Sequence, residues 1–229
     1  IYGETFGLNK GLIGFGSQNS RGYFDNIAIQ ILPPKITLDH QESFNDGVAD
    51  IFEPETGTWI TSGNAYISSP APGTISFSRA NIGTTLQTYS YLELTSTLRG
   101  TGRLGFVFDR YSDRDYKFVA LDMTTGQVLV GHASPRGGPT IDLAVARTLT
   151  PGANYTVQLT LKGLTLSILV NGSFVASFAF NGVLVDGAFG LAVWSGTGTF
   201  DSFRLRTDDP FFPVGPNGEP STKPPPGST

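Results

Sequence analysis

Apolar and polar residues alternate along the second half of the chain. The segment 155–162 places Tyr, Val, Leu and Leu on one face and Thr, Gln, Thr and Lys on the other. A period of two is that of a half-buried β-strand. Leu166, Ile168 and Val170 continue the pattern into Asn-Gly at 171–172, and apolar residues recur at every second position in 174–180. The Asn-Gly pair between two such runs predicts a tight β-hairpin.

A second hairpin is predicted near the middle of the chain. The strand-like segments 104–108 and 116–122 flank the charged stretch 110–115. Roughly ten to fourteen strands fit the whole sequence, and no segment has a helical period. Strands that are apolar on one face bury it most simply by packing one sheet on another. We therefore expect an all-β, two-sheet antiparallel sandwich.

The composition agrees with this fold and excludes several partners. Charged residues make up only 15% of the chain, which has 29 Gly and 15 Pro, a mixture that suits short strands and tight turns rather than helices. The formal net charge of −4 does not favour nucleic acid. No apolar run approaches the roughly 20 residues of a membrane span, so we expect no membrane insertion. Cysteine is absent, which excludes disulfides and thiolate metal sites.

An internal repeat divides the chain. The segments 11–29 and 187–205 align without a gap at an offset of 176 residues. Five positions are identical: Gly11 and Gly187, Gly14 and Gly190, Gly22 and Gly198, Phe24 and Phe200, and Asp25 and Asp201. Both segments are therefore expected to be the closing strands of the same kind of domain in a tandem array.

The repeat sets the expected domain boundaries. Residues 1–32 are predicted to be the C-terminal strands of a preceding repeat, and 33–40, with its Pro-Pro pair, a linker. Residues 41–209 are predicted to be a complete domain, and 210–229 a Pro/Gly-rich, extended linker. We expect neighbouring repeats of the same polypeptide on either side.

The complete domain resembles the laminin-G-like and concanavalin A-like jelly-roll domains of large bacterial extracellular, adhesin-type proteins. The motifs that carry the resemblance are Glu-Ser-Phe-Asn-Asp-Gly at 42–47, Gly-Phe-Val-Phe at 105–108, Ile-Leu-Val-Asn-Gly at 168–172, and Phe-Asp-Ser-Phe-Arg-Leu at 200–205. The resemblance implies a jelly roll and an extracellular or cell-surface, bacterial location. It also implies a structural calcium ion that joins the opening segment to the last strand, and the matching positions are Glu42, Asp46 and Asp201.

One of these metal positions, Asp201, has an alternative interpretation. In that interpretation it caps or hydrogen-bonds a turn before the last strand. Asp113 and Asp115 in the charged hairpin also carry oxygen ligands that calcium accepts, although a solvated turn explains them as well.

Sugar binding requires aromatic and planar polar side chains in exposed loops. By type, the candidate ligand-binding residues are Tyr111, Tyr116, His132, Arg136 and Trp194. For Trp194 the alternative is packing in the core, because it follows a strand-like segment.

Catalysis is not expected. Glycoside hydrolysis needs two carboxyl groups about 5–9 Å apart, and no predicted strand alternates such a pair. Glu93 stands alone, and neither His40 nor His132 has an evident nucleophilic partner. The sequence therefore predicts a non-catalytic, calcium-stabilised module that binds carbohydrate or a glycan-bearing cell or matrix surface. The alternatives are a purely structural spacer repeat of an adhesin and an accessory domain of a polysaccharide-degrading enzyme.

Overall fold

The computed structural model describes residues 16–26 and 33–225. Within these ranges the chain forms fifteen β-strands and no helix, and hence no helix able to cross a membrane. The strands are β1 Leu38–Glu42, β2 Phe52–Thr56, β3 Trp59–Ser62, β4 Ala65–Ser68, β5 Ser76–Ala80, β6 Tyr91–Gly100, β7 Arg103–Ser112, β8 Asp115–Asp122, β9 Gln127–Ser134, β10 Gly138–Ala146, β11 Tyr155–Lys162, β12 Thr165–Val170, β13 Ser173–Ala179, β14 Ala188–Val193 and β15 Gly198–Thr207.

The strands form two antiparallel sheets, as the sequence predicts. The eight-stranded sheet has the order β13-β12-β11-β6-β15-β4-β3, and β1 pairs with β15 beyond the end of β4. The seven-stranded sheet has the order β10-β9-β8-β7-β14-β5-β2. Strands that are distant in sequence, such as β5, β7 and β14, are neighbours in this second sheet. The observed fold is a two-sheet β-sandwich.

Alternation along the strands of the seven-stranded sheet separates two apolar clusters. On β7, Phe106 and Phe108 belong to the main core between the sheets, whereas Val107 belongs to a second cluster. On β8, Val119 is in the core and Phe118 is in the second cluster. Because successive side chains of a strand point to opposite faces, the second cluster lies on the outer face of this sheet.

The two predicted hairpins are confirmed. β11, β12 and β13 pair in sequence, and Asn171 and Gly172 both have positive φ, 52° and 74°, as the favoured two-residue turn requires. β7 pairs with β8 around the charged turn, with an irregularity in the register after Phe108. Asp109 at this irregularity also has positive φ, 50°.

In the second copy, the repeated residues lie in or next to the closing strands β14 and β15, where their contacts explain the residue types. A Cβ on Gly190 would lie 2.0 Å from the carbonyl oxygen of Ser78 on β5. Phe200 is fully buried in the core, and Asp201 pairs with Arg99 at 3.2 Å. These positions therefore tolerate few other residues. The first copy, 11–29, lies partly outside the described residues; residues 16–26 form no strand and are exposed.

The segments flanking the predicted domain also contact the sandwich. β1 begins at Leu38, inside the segment 33–40 that is predicted to be a linker. The Ser221 N–H donates to the Thr37 carbonyl at 2.7 Å, and the Asp39 N–H donates to the Ser221 carbonyl at 2.8 Å. Part of the C-terminal segment 210–225, which the sequence predicts to be an extended linker, is thus bonded to the edge of β1.

Candidate functional site

Two depressions meet at the end of the β7–β8 hairpin. Tyr116, the second residue of β8, lines both of them. We call the first the β8 pocket. It is a cavity of about 420 Å³ beside the edge strands β10 and β13, and it is lined by Asp115, Tyr116, Lys117, His132, Ala133, Ser134, Asp142, Phe178, Ala179, Phe180 and Asn181.

The polar wall of the β8 pocket comes from β9 and β10. The ladder between these strands has a bulge between Ile141 and Leu143, so Asp142 has no partner directly opposite. Its carboxylate Oδ2 lies 2.7 Å from Nδ1 of His132. The pair holds an imidazole and a carboxylate at the pocket wall in a defined orientation.

A buried ionic cluster lies behind this wall. The Lys117 ammonium donates to the Asp109 carboxylate and lies 5.5 Å from the centre of the Phe180 ring. Burial lowers the pKa of Lys117, and the negative charge of Asp186 partly opposes that shift. Burial, a hydrogen bond to Asp186 and the charges of Asp186 and Asp115 raise the pKa of Tyr111 to about 12.

The second depression, the outer groove, lies on the outer face of the seven-stranded sheet. Its volume is about 280 Å³, and it is lined by Thr56, Gly73, Ile75, Phe77, Val107, Arg110, Asp113 and Tyr116. The Arg110 guanidinium lies 4.4 Å from the centre of the Phe77 ring and pairs with Asp113 and, at 2.5 Å, with Glu55. Most hydrogen-bonding capacity of this arginine is therefore already used.

The structure divides the predicted ligand-binding residues among several places. Tyr116 and Trp194 are neighbours in the apolar cluster on the outer face. Burial raises the pKa of the Tyr116 hydroxyl, and a hydrogen bond from Trp194 partly opposes that shift. His132 is in the β8 pocket, whereas Tyr111 is 60% exposed and is not among the residues that line either depression. Arg136 is exposed in the turn between β9 and β10 and lines neither depression.

Sequence reasoning missed most residues of the β8 pocket, including a carboxylate, an aromatic ring and an amide. Asp142 belongs to an alternating strand, and Phe178 and Asn181 lie on and after the strand that follows the Asn-Gly hairpin. The predicted hairpin shows that Phe178 is on a strand, but no signal along the chain shows that this strand passes β9.

The predicted calcium ligands do not form one set. The two carboxylate oxygens of Glu42 accept the N–H groups of Phe44 and Asp50 at 2.8 and 2.9 Å. Asp46 is exposed and accepts the Val48 N–H at 3.0 Å. Asp201 pairs with Arg99, and no group of three or more potential metal ligands occurs among the described residues. These residues do not fit a shared calcium site as they are placed, and calcium stays a prediction from the resemblance.

The carboxylates of the sheets are mostly engaged in ion pairs. Glu93 accepts the Tyr91 hydroxyl at 2.6 Å and pairs with Arg206 directly opposite on β15. Glu93 is therefore a cross-strand partner. On the outer face of the seven-stranded sheet, the central residues of β7, β8, β9 and β14 are apolar: Val107, Phe118, Ala120, Leu129 and Ala192.

Comparison with known proteins gives structural similarity only. No protein-family model matches the chain, and no curated protein sequence matches it. The carbohydrate-binding module CBM66 of Bacillus subtilis is similar at a TM-score of 0.57 and 16% identity, over 66% of this chain and 92% of that module. The fold is a jelly-roll β-sandwich.

Two glycosidases have similar structures. A β-1,3-1,4-glucanase (lichenase) from a mouse hindgut metagenome matches at a TM-score of 0.50 and 11% identity, over 73% of this chain and 98% of that enzyme. The GH43 protein BlXynB of Bacillus licheniformis matches at 0.52 and 10% identity, over 72% of this chain but only 39% of that protein. At these identities the matches establish the jelly roll, and both binding modules and enzymes share it.

Proposed function

We propose that this domain is a non-catalytic carbohydrate-binding module of a secreted or cell-surface protein, with the β8 pocket as its site. The arrangement of Asp115, His132, Asp142 and Asn181 around Phe178 carries the proposal. Its volume of about 420 Å³ falls within the range of roughly 300–1,000 Å³ that is usual for small-molecule sites. The outer groove, at about 280 Å³, falls just below that range.

The side chains of the β8 pocket match the chemistry of a sugar. Carboxylates accept hydrogen bonds from sugar hydroxyls, whereas an amide and an imidazole both donate and accept. Phe178 is half-buried and offers an apolar surface for the C–H face of the ring. The pocket therefore combines one apolar contact with several fixed polar groups, which is how small-ligand sites obtain affinity and orientation together.

The charges favour a neutral sugar over an acidic one. Asp115 and Asp142 place two carboxylates at the wall, and the one ammonium that the described residues bring to the cavity, that of Lys117, already pairs with Asp109. An anionic glycan would meet these carboxylates without a free cation to offset the repulsion. We therefore infer that unmodified hexose or pentose polymers bind better than uronic or sulfated ones.

A binding role is favoured over catalysis by the apolar centre of the outer face. Its strands carry Val, Phe, Ala and Leu where a glycosidase would need an acid and a second carboxylate facing each other. The β8 pocket itself contains two carboxylates, Asp115 and Asp142, so hydrolysis at this site is the alternative function. Release of reducing sugar from neutral polysaccharides, lost in Asp142→Asn, would establish the alternative and contradict the proposal.

Affinity electrophoresis on neutral and acidic polysaccharides, followed by calorimetry, tests the proposal. Phe178→Ala and Asp142→Asn should each weaken binding by about 10- to 100-fold, equivalent to roughly 1.4–2.7 kcal/mol. Phe174→Ala is the matched control, because Phe174 lies on the same strand, is 65% exposed and is outside the pocket. Failure to bind any glycan would favour the spacer alternative, and equal loss in all three variants would show that the β8 pocket is not the site.

A further inference from the structure

Three ionisable side chains meet beneath the β8 pocket. Asp109 is 3% exposed and accepts a hydrogen bond from the Lys117 ammonium through Oδ2. Its second oxygen, Oδ1, is buried and has no hydrogen-bond partner within residues 16–26 and 33–225. Asp186 also has a buried Oδ1 without a partner, and its negative charge acts on Lys117. A buried carboxylate oxygen without a partner is costly, so the cluster requires an explanation beyond a simple ion pair.

The surroundings make this ion pair easy to neutralise. Phe180 lies against the Lys117 ammonium, and Phe108, whose ring contacts Phe180, precedes Asp109 in the chain. In such an environment transfer of a proton from the ammonium to the carboxylate removes two buried charges. The products are a neutral amine and a neutral carboxylic acid in contact, which are the two reactants for an amide bond.

We propose that Lys117 and Asp109 form an intramolecular isopeptide bond, with Asp186 carrying the protons. Lys117 Nζ attacks Cγ of Asp109, the new N–C bond forms, and the C–O bond to one carboxyl oxygen breaks. The ammonium loses two protons in total, and both leave with that oxygen as one water molecule. Asp186 accepts a proton from Nζ and returns it to the departing oxygen, so it ends in its starting state. No oxidant, metal or further reactant is consumed.

The placement of Asp186 is compatible with such a proton carrier. It immediately precedes Gly187, where a Cβ would lie 2.6 Å from the carbonyl carbon of Asp109, so the loop that carries Asp186 is packed directly on the reacting residue. Burial and the nearby negative charge of Asp186 raise the pKa of Tyr111, so Asp186 also lies close to this hairpin. The three side chains thus come from β7, β8 and the loop before β14.

The bond would close the turn between Asp109 and Lys117 covalently. This turn carries Asp113 of the outer groove and Asp115 and Tyr116 of the β8 pocket. A cross-link removes conformations from the unfolded chain and holds the turn in place when neighbouring strands separate. The proposal is independent of whether the pocket binds sugar.

The intact mass of the full chain under denaturing conditions tests the proposal. The wild-type protein should be lighter than its sequence by one water molecule. Trypsin should then release a branched peptide in which residues 104–110 are joined to residues 115–136, because cleavage after a modified Lys117 is blocked. Sequencing of that branch by tandem mass spectrometry distinguishes the cross-link from loss of water elsewhere, for example at Asp-Gly.

Three variants complete the test. Lys117→Arg and Asp109→Ala remove the reacting groups. Asp186→Asn keeps the size of the side chain but removes the carboxylate that transfers the proton. All three variants should have their full sequence mass and no branched peptide. Circular dichroism confirms that each variant is folded. A wild-type chain at full mass, with peptide 104–110 unlinked, would overturn the proposal. A branched peptide in Asp186→Asn would overturn the role of Asp186.

Discussion

Asp209 joins three parts of the chain through a fully buried carboxylate. Its Oδ2 accepts the Gln87 N–H at 2.6 Å and the Ser90 hydroxyl at 2.7 Å, and its Oδ1 accepts the Phe211 N–H at 2.9 Å. The loop before β6 and the start of the C-terminal segment are thereby bonded to the end of β15. We predict that Asp209→Asn, which changes the size of the side chain very little, destabilises the domain strongly.

The magnitude follows from the three hydrogen bonds. An Asn side chain turns its oxygen toward Gln87 and Ser90 and its amide toward the Phe211 N–H, where donor then meets donor. The lost bond to a charged acceptor costs about 1.5–3 kcal/mol, and the two that remain become neutral and weaker. Because the substitution also removes a buried charge, part of this lost stability is recovered, and the free energy of unfolding should fall by about 3 kcal/mol. For a domain of this size that is roughly 6–12 °C in Tm.

Urea unfolding followed by tryptophan fluorescence measures this change. Asp46→Asn is the matched control, because Asp46 is exposed and the amide oxygen can still accept its one bond, from the Val48 N–H. The control should stay within about 0.5 kcal/mol of wild type. If Asp209→Asn unfolds at the same urea concentration as the control, the reasoning about the buried carboxylate is wrong.

Three further predictions concern packing, pH and metal. Gly190→Ala should destabilise by about 1–3 kcal/mol in the same urea assay, since its Cβ meets the Ser78 backbone; a wild-type midpoint would show that β5 and β14 adjust freely. The hydrogen bond from Arg204 lowers the pKa of Asp39 below 3.8, so this pair stabilises the fold above that pH and the contribution is lost as pH falls through the lowered pKa. Asp39→Asn should therefore lose less stability than wild type between pH 5 and pH 2, and parallel curves would refute the assignment. If calcium is bound, a chelator should lower the Tm of the wild-type protein but not that of Asp201→Ala. An unchanged wild-type melting curve would contradict the calcium prediction.

Local patterns indicated several of the strands, both hairpins and the class of fold, although fifteen strands form where ten to fourteen were expected. Residues 155–162 form β11 with the predicted buried face, and Asn171-Gly172 forms the predicted turn. These features depend on neighbours one to four residues apart, so they can be read from a single sequence. Gly190 recurs in the internal repeat, and the structure supplies a reason, because the Ser78 backbone lies where its Cβ would be.

Tertiary structure decided which of those strands meet, and hence the site. His132, Asp142 and Phe178 form one pocket wall although they lie on β9, β10 and β13, and the last belongs to the opposite sheet. A period of two shows which face of a strand a residue occupies, but it carries no information about the strand on the other side of a cavity. The cluster of Asp109, Lys117 and Asp186 could not be predicted from the sequence for the same reason. Asp109 and Lys117 share a predicted hairpin, but Asp186 lies on a loop about seventy residues later in the chain. The pairing of β14 with β7 brings that loop to the hairpin.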